Sequence, residues 1–531
     1  MNSRTRFGLS IFACLLIGLF ATGCNQKQAK SQKTVHLNFG RNVYTLDPRK
    51  AEEESSQNMT LMLYEGLMRL DKEGKLALAL AQSYSLSSDK KTYTFTLRDA
   101  KWSDGSPITA YDFEYSWKKI LSPDFETPIK HDLYIFAGGK QASKGEIPFD
   151  DVGIRALDEK TLQVTLAYPA PYFLDMIAST PYFYPAKARI DEIEPKAFSS
   201  TKGIYSGPFI LSRYRPGHSI RVEKNPHYWD AESVKLDAIE ISCLSDMHTE
   251  LALFERGELD WAGQPLSLGL PIDAIDQLQK EGLLKTAKPS KLYLYFFNVD
   301  TPPFNNVKMR KAFSLAINRG DIVRHVTQGG QQPALGFVPT IFAKHRGTYF
   351  KDNDVKEARR LFELGLKEMG KTRETLEPIK INAYSASIQE KVAQTVARQW
   401  EAAFGVPIKI ETSEWSVHID KLYNKDYQAL CVNWFPSVRD PICFLEIFSP
   451  EREGIANWKD VSYSKLLDRS NHLQNTSERN ATLVEAEQML VDYMPAAPLY
   501  FNGANYLLND RLKNVYVSEF GIVDFKCASF E

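Results

Sequence analysis

Cysteine is scarce in this chain: six in 531 residues, and no two of them form a C-x-x-C pair. A thioredoxin-type redox site and a typical zinc knuckle are therefore not indicated. An excess of one charge sign is also missing. With 65 Lys and Arg against 66 Asp and Glu, the net charge is −1. A nucleic-acid binder would normally carry a basic surplus, so that class is set aside. There is no H-E-x-x-H, G-x-S-x-G, P-loop or G-x-G-x-x-G, and the nine histidines show no metal-ligand spacing. Carboxylates are abundant, but nothing singles out a catalytic pair. We expect no cofactor, no metal and no enzyme.

Long apolar runs are limited to Phe7–Phe20, which follows Arg4 and Arg6 and is too short to span a bilayer permanently. It ends at Ala21-Thr22-Gly23-Cys24, which resembles the lipobox of bacterial lipoproteins, with Ala21 where leucine is usual. That resemblance implies a signal peptide over 1–23, a lipidated Cys24, and a polar tether over 24–33. The mature protein is then expected outside the cytoplasm on the periplasmic side, held to a bacterial membrane by acyl chains. An ordinary signal peptide is the plainer alternative.

What remains is the composition of a soluble globular protein, 43% hydrophobic and 25% charged. Its length predicts roughly two to four domains. Aromatics reach 12%, with 30 Phe, 25 Tyr and 8 Trp, which fits an aromatic-lined cleft, although large cores use aromatics too. Ala429–Trp434 reads as a short apolar strand, stopped by Phe435-Pro436. Ser437-Val438-Arg439-Asp440-Pro441 follows as a polar turn, and Ile442–Phe448 has helical character. A tryptophan, a serine, an arginine and an aspartate thus cluster where a strand ends, a common way to wall a binding cleft. The plainer reading is a buried Trp followed by a solvated loop.

Earlier, Thr34–Phe39 alternates as a strand, Asn58–Leu70 has helical spacing, and the acidic run Glu52-Glu53-Glu54 reads as surface. Tyr93–Arg98 alternates as a strand. Asp104-Gly105 supplies a turn, and Thr109 with Asp112 forms a capping signal for a helix carrying Phe113 and Trp117 on one face. Lys308, Arg310 and Lys311 read as the solvated face of an amphipathic helix. Val355–Leu364, Val392–Phe404 and Trp415–Leu422 read as helices and Pro407–Ile410 as a strand, an alternation that gives an α/β domain. Cys431 and Cys443 could bridge the turn between them or stay as buried thiols, since spacing alone does not fix pairing.

The block Y-T-F-T-L-R…W-S-D-G-S-P-I-T-A-Y-D-F-E-Y-S-W, from Tyr93 to Trp117, resembles a hallmark of the extracytoplasmic oligopeptide-, dipeptide- and nickel-binding proteins that feed ABC importers. Leu63–Leu67, Gly207-Pro208-Phe209, Lys224–Trp229, Gly257–Asp260, Pro303–Ala312 and Ala316–Arg319 continue the resemblance in order. It implies an α/β fold: a three-domain, periplasmic-binding-protein-like clamshell with mixed sheets and two hinge crossings. Domain I would comprise 34–64, 201–300 and 501–531, with domain II inserted over 65–200 and domain III over 301–500. Closing of the lobes on an oligopeptide, rather than catalysis, would be the activity. An ABC permease and its ATPases would be the partners of a monomer. Rival readings are a non-peptide, N-blocked or anionic ligand, an exported peptidase, and peptide sensing or chaperone activity.

The same resemblance implies the site. Trp415 and Trp434 would line the cleft, with Asn433 and Phe435 beside them. Glu52 to Glu54 would match a strand that pairs with the ligand, and Tyr134 and Tyr295 are looser matches. The chain departs from the family where an aspartate holds the ligand's amino group: Ser437 stands there. Positions that elsewhere aim basic groups at ligand carboxylates are Gln389, Leu422, Tyr423 and Cys431. Losing one partner of a buried charge pair costs about 3–5 kcal/mol, so Glu52 or Glu54 is expected to replace the carboxylate, or Arg439 to favour an anionic ligand.

Overall fold

Thr34–Asn38 is a strand because Val35 and Leu37 alternate into the core while His36 faces water. In the computed structural model it pairs in parallel with Ala238–Ser242, which continues antiparallel to Ser219–Lys224 and then Phe209–Arg215. The structure describes residues 33–127, 129–188, 191, 202–342, 349–436, 438–450, 456, 458–473 and 475–531. The expected leader 1–23, Cys24, nearly all of the tether and Ser437 lie outside them. Among the described residues, no helix is long and apolar enough to cross a membrane.

A second sheet is antiparallel throughout, in the order Ala81–Leu86, Thr92–Leu97, Thr161–Thr165, Ile154–Ala156. Tyr93, Phe95 and Leu97 point inward on alternate positions. The turn at Gly105 has φ +83°, a conformation glycine adopts without steric cost. The helix Ala110–Leu121 that follows carries the expected capping box, Thr109 with Asp112. Its Phe113 and Trp117 are fully buried, their rings edge to face at 5.7 Å.

The third sheet is mixed and has six strands: Gln332–Pro333, Ala496–Asn502, Lys291–Phe297, Ala429–Trp434, Ile379–Tyr384 and Ile408–Ser413. Lys291–Phe297 (K-L-Y-L-Y-F-F) is buried at every position, as a strand covered on both faces must be. The helices Val307–Leu315, Val355–Met369 and Ser387–Phe404 join this core through Phe313, Phe362, Trp400 and Phe404, with Phe313 and Trp400 4.9 Å apart. A small sheet of Trp261–Gly263, Asn505–Leu508 and Lys285–Thr286 adjoins the C-terminal segment.

Three expectations need correction. The helix expected over Asn58–Leu70 runs from Glu54 to Leu63. Glu53 starts it, accepting from the Ser56 N–H, and Gly207 seals its end by donating its N–H to the Leu63 carbonyl at 2.9 Å. A Cβ on Gly207 would lie 2.5 Å from the Tyr64 nitrogen. Met68–Leu70 is instead a strand paired with Leu76–Leu78. Consequently Glu52–Glu54 is not a strand, and Glu53 is a cap rather than free surface. Arg310 is not on a solvated face: its guanidinium is buried and donates to the carbonyls of Phe304, Tyr493 and Met494. Cys431 and Cys443 do not bridge. Both are buried thiols, with the Cys443 thiol turned to the Asp440 carbonyl at 3.0 Å.

Candidate functional site

In the six-stranded sheet, Ile379–Tyr384, Ile408–Ser413, Ala429–Trp434 and Ala496–Asn502 all end at one edge, where the antiparallel Lys291–Phe297 begins. Helices Ser387–Phe404 and Trp415–Asn424 start just beyond two of those ends. The carboxyl edge of such strands is where α/β sheets leave a crevice for ligands.

Most of the expected residues meet along this edge. The Trp434 ring N–H donates to the Cys443 carbonyl at 2.9 Å, which fixes the indole against the turn. Asn433 lies opposite Tyr293 in the register, and its carboxamide oxygen is buried without a partner. Phe435 is 43% exposed, with the Lys291 ammonium 4.6 Å above its ring. Lys291 also pairs with Glu54, so the first helix is tied to the aromatic wall through one lysine. Trp415 is 52% exposed and stands edge-on to Tyr384 at 5.1 Å. Tyr295 is fully buried, its ring 6.3 Å from Trp400.

Arg439 is committed to the protein itself. Its guanidinium donates to the Gly74 carbonyl, to the Tyr516 hydroxyl at 2.6 Å and to Glu519 at 2.7 Å. Asp440 receives both terminal nitrogens of Arg479, at 2.7 and 2.8 Å, and caps the turn by accepting from the Ile442 N–H. Arg479 in turn stacks 5.9 Å from the Tyr172 ring. The turn after Trp434 is thereby bound to Gly74, to Tyr172 and to the C-terminal segment together.

Two expected residues sit apart from this group of contacts. Tyr134 belongs to the turn Lys130–Ile135, and its hydroxyl accepts from Ser143 at 3.1 Å. Glu52 has an exposed carboxylate whose pKa is pushed up, first by loss of solvation, with His131 opposing and Asp132 adding to the rise. Sequence reasoning missed Lys291, Tyr516, Glu519 and Arg479. Only Lys291, a lone charge at the head of an aromatic strand, left a local signal.

Burial dominates the electrostatics here. It pushes the Cys431 thiol up to about 11 and the hydroxyls of Tyr293, Tyr295 and Tyr500 well above the usual tyrosine range. It also lowers the pKa of His418 and so favours the neutral ring. Among the described residues, no three His, Cys, Asp or Glu side chains are grouped to hold a metal ion.

A mixed-sheet clamshell with an aromatic edge facing a strapped turn is the frame of a solute-binding protein. Residues 75–454 match the family described as bacterial extracellular solute-binding proteins, family 5, middle region, and the chain belongs to that family. It is 37% identical over 535 residues to the oligopeptide-binding protein OppA of Bacillus subtilis, covering 99% of this chain and 98% of that protein. The dipeptide-binding protein DppE of the same organism is 32% identical, with 95% and 93% covered. Among solved structures, Listeria monocytogenes OppA bound to peptide superposes with a TM-score of 0.79 at 27% identity, covering 94% of this chain and 99% of that one.

Proposed function

We propose that this chain captures oligopeptides at the carboxyl edge of its six-stranded sheet, as the solute-binding component of an ABC importer. The observation that carries the reading is 37% identity, over nearly the full length of both chains, to a protein named for oligopeptide binding. A peptide backbone repeats its donors and acceptors, so a cleft can hold it without reading its sequence, and aromatic walls such as Trp415, Trp434 and Phe435 tolerate varied side chains. Domain I (34–64, 201–300, 501–531) and the inserted domain II (65–200) would close against domain III (301–500) about two hinge crossings. Lys291–Phe297 would act as the seam, since it pairs on both sides within the six-stranded sheet. The protein would work as a monomer outside the cytoplasm, anchored by lipid on Cys24, and hand its ligand to a permease and its ATPases.

Glu54 is already paired with Lys291 and Arg439 with Glu519. That leaves Glu52, which stands apart from this edge and would reach a ligand's amino group from the opposite lobe on closure, and it also favours a second reading in which the ligand is N-blocked. Titration of the refolded, ligand-stripped chain lacking Cys24 separates the two. Binding of a free-amine tetrapeptide pool but not its N-acetylated counterpart supports an amine anchor at Glu52. Equal binding of both supports the second reading. If neither pool binds, the peptide reading is lost. Recovery of intact peptide by mass spectrometry distinguishes a carrier from a peptidase.

A further inference from the structure

Behind the aromatic edge lies a set of polar atoms that the protein itself leaves unpaired. Oε1 of Gln389, Nδ1 of His418 and Oδ1 of Asn433 are buried with no hydrogen-bond partner, and beside them the buried hydroxyls of Tyr293 and Tyr295 meet each other and the Cys431 thiol. They belong to one corner. Tyr293 is the cross-strand partner of Asn433 and Tyr295 that of Cys431, so these four side chains share a face of the sheet. The His418 ring lies 2.8 Å from the Cys431 carbonyl through Nε2 and 5.4 Å from the Tyr384 ring. The Tyr384 hydroxyl in turn lies against the Gln389 carboxamide.

Buried polar groups are nearly always satisfied, and leaving one unpaired costs about 1–3 kcal/mol. Three in one corner, next to a pair of tyrosine hydroxyls, mark a place where a polar group from outside completes the bonds. Their chemistry narrows what that group is. A carbonyl only accepts, so His418 Nε2 carries the proton facing Cys431, and Nδ1 is left as an acceptor. Gln389 and Asn433 present acceptors through the atoms left open, while the two tyrosines, sharing one bond between them, keep one O–H to donate. None of the five is a formal charge. A carboxylate would meet three lone pairs, and an ammonium would find no counter-charge while facing the field of Lys421, which already bears on His418. A primary amide fits: its two N–H groups suit the acceptors and its carbonyl suits the tyrosines. Trp415, half exposed beside Tyr384, places the corner next to the cleft wall.

We infer that this corner is a subsite for a neutral ligand side chain that both donates and accepts hydrogen bonds, a primary amide foremost, with Tyr293, Gln389, His418 and Asn433 setting the preference. The inference rests on the peptide reading above. The test uses polyalanine hosts of about three to five residues, each position replaced in turn by Gln, Leu or Glu, titrated into the ligand-stripped chain. At one position Gln is expected to bind at least tenfold tighter than Leu or Glu, equivalent to about 1.4 kcal/mol. The double variant Gln389→Leu, Asn433→Leu is expected to erase that advantage. Hosts that bind with no position favouring Gln would overturn the subsite while leaving the peptide reading intact, since water alone would then complete these bonds. A Gln preference that survives in the folded double variant overturns the assignment of residues. If the variant fails to fold, the positional scan on the natural chain decides by itself. If no peptide binds, both readings fall together.

Discussion

The guanidinium of Arg439 stands 2.7 Å from the Glu519 carboxylate, and the same nitrogen reaches the Tyr516 hydroxyl at 2.6 Å. A second nitrogen reaches the Gly74 carbonyl, 365 residues away in sequence. One side chain therefore ties the turn after Trp434 to two distant parts of the chain. Arg439→Ala is expected to lower the unfolding free energy by only about 1 kcal/mol, because the pair is partly solvated. Its larger effect is on shape: the ligand-free variant should show a greater radius of gyration by solution X-ray scattering. An unchanged radius would mean that other contacts hold the lobes together.

Glu250 offers a pH test of stability. Its carboxyl is buried beside the Gly263 N–H, and desolvation raises its pKa to about 6 against hydrogen bonds that lower it. The folded chain therefore binds this proton more tightly than the unfolded chain does. Stability from this group is complete below the unfolded value near 4.5 and is lost as pH rises through about 6. Glu250→Gln should gain on the natural chain by about 2 kcal/mol between pH 4.5 and 7, read from urea denaturation at the two pH values. A constant difference would show that the carboxyl titrates normally.

No disulfide joins the four body cysteines, and Cys431 and Cys443 are buried. Burial disfavours the reactive thiolate, so the native, unreduced protein should label slowly with a thiol reagent at both. After unfolding without reductant, mass spectrometry should count four modified thiols in the mature body. Two or fewer would reveal a disulfide.

Trp415 projects from the cleft wall, half exposed, with the rings of Tyr384 and His418 beside it. If peptides bind there, Trp415→Ala should weaken them by about tenfold, and Trp415→Phe should remove most of any ligand-induced change in tryptophan emission. Trp434, held by Cys443, should contribute little to that change. An unaltered emission response in Trp415→Phe would place the ligand elsewhere.

Much of the fold was legible because its signals are local. Thr109 and Asp112 sit three residues apart, and the capping box they predict forms as read. Ala429–Trp434 is a strand with the boundaries that Phe435-Pro436 imposes. The failures share a different cause. Arg310 looked solvated because its partners, Phe304, Tyr493 and Met494, are carbonyls that carry no residue-specific signal. The first helix was misplaced because its end is sealed by Gly207, far along the chain. Within the site, the aromatic residues were visible, but their neighbours Glu519 and Tyr516 lie some eighty positions from Arg439 and are joined to it only by the fold.

The parallel pairing of Thr34–Asn38 with Ala238–Ser242 has a further consequence for the order of assembly. The first strand cannot find its place until two hundred more residues are available, and Lys291–Phe297 waits as long again for Ala496–Asn502. The hairpin of Met68–Leu70 with Leu76–Leu78 and the run from Phe209 to Ser242 draw on near neighbours and can close early. The two long-range pairings close large loops in the chain and are therefore slow folding steps.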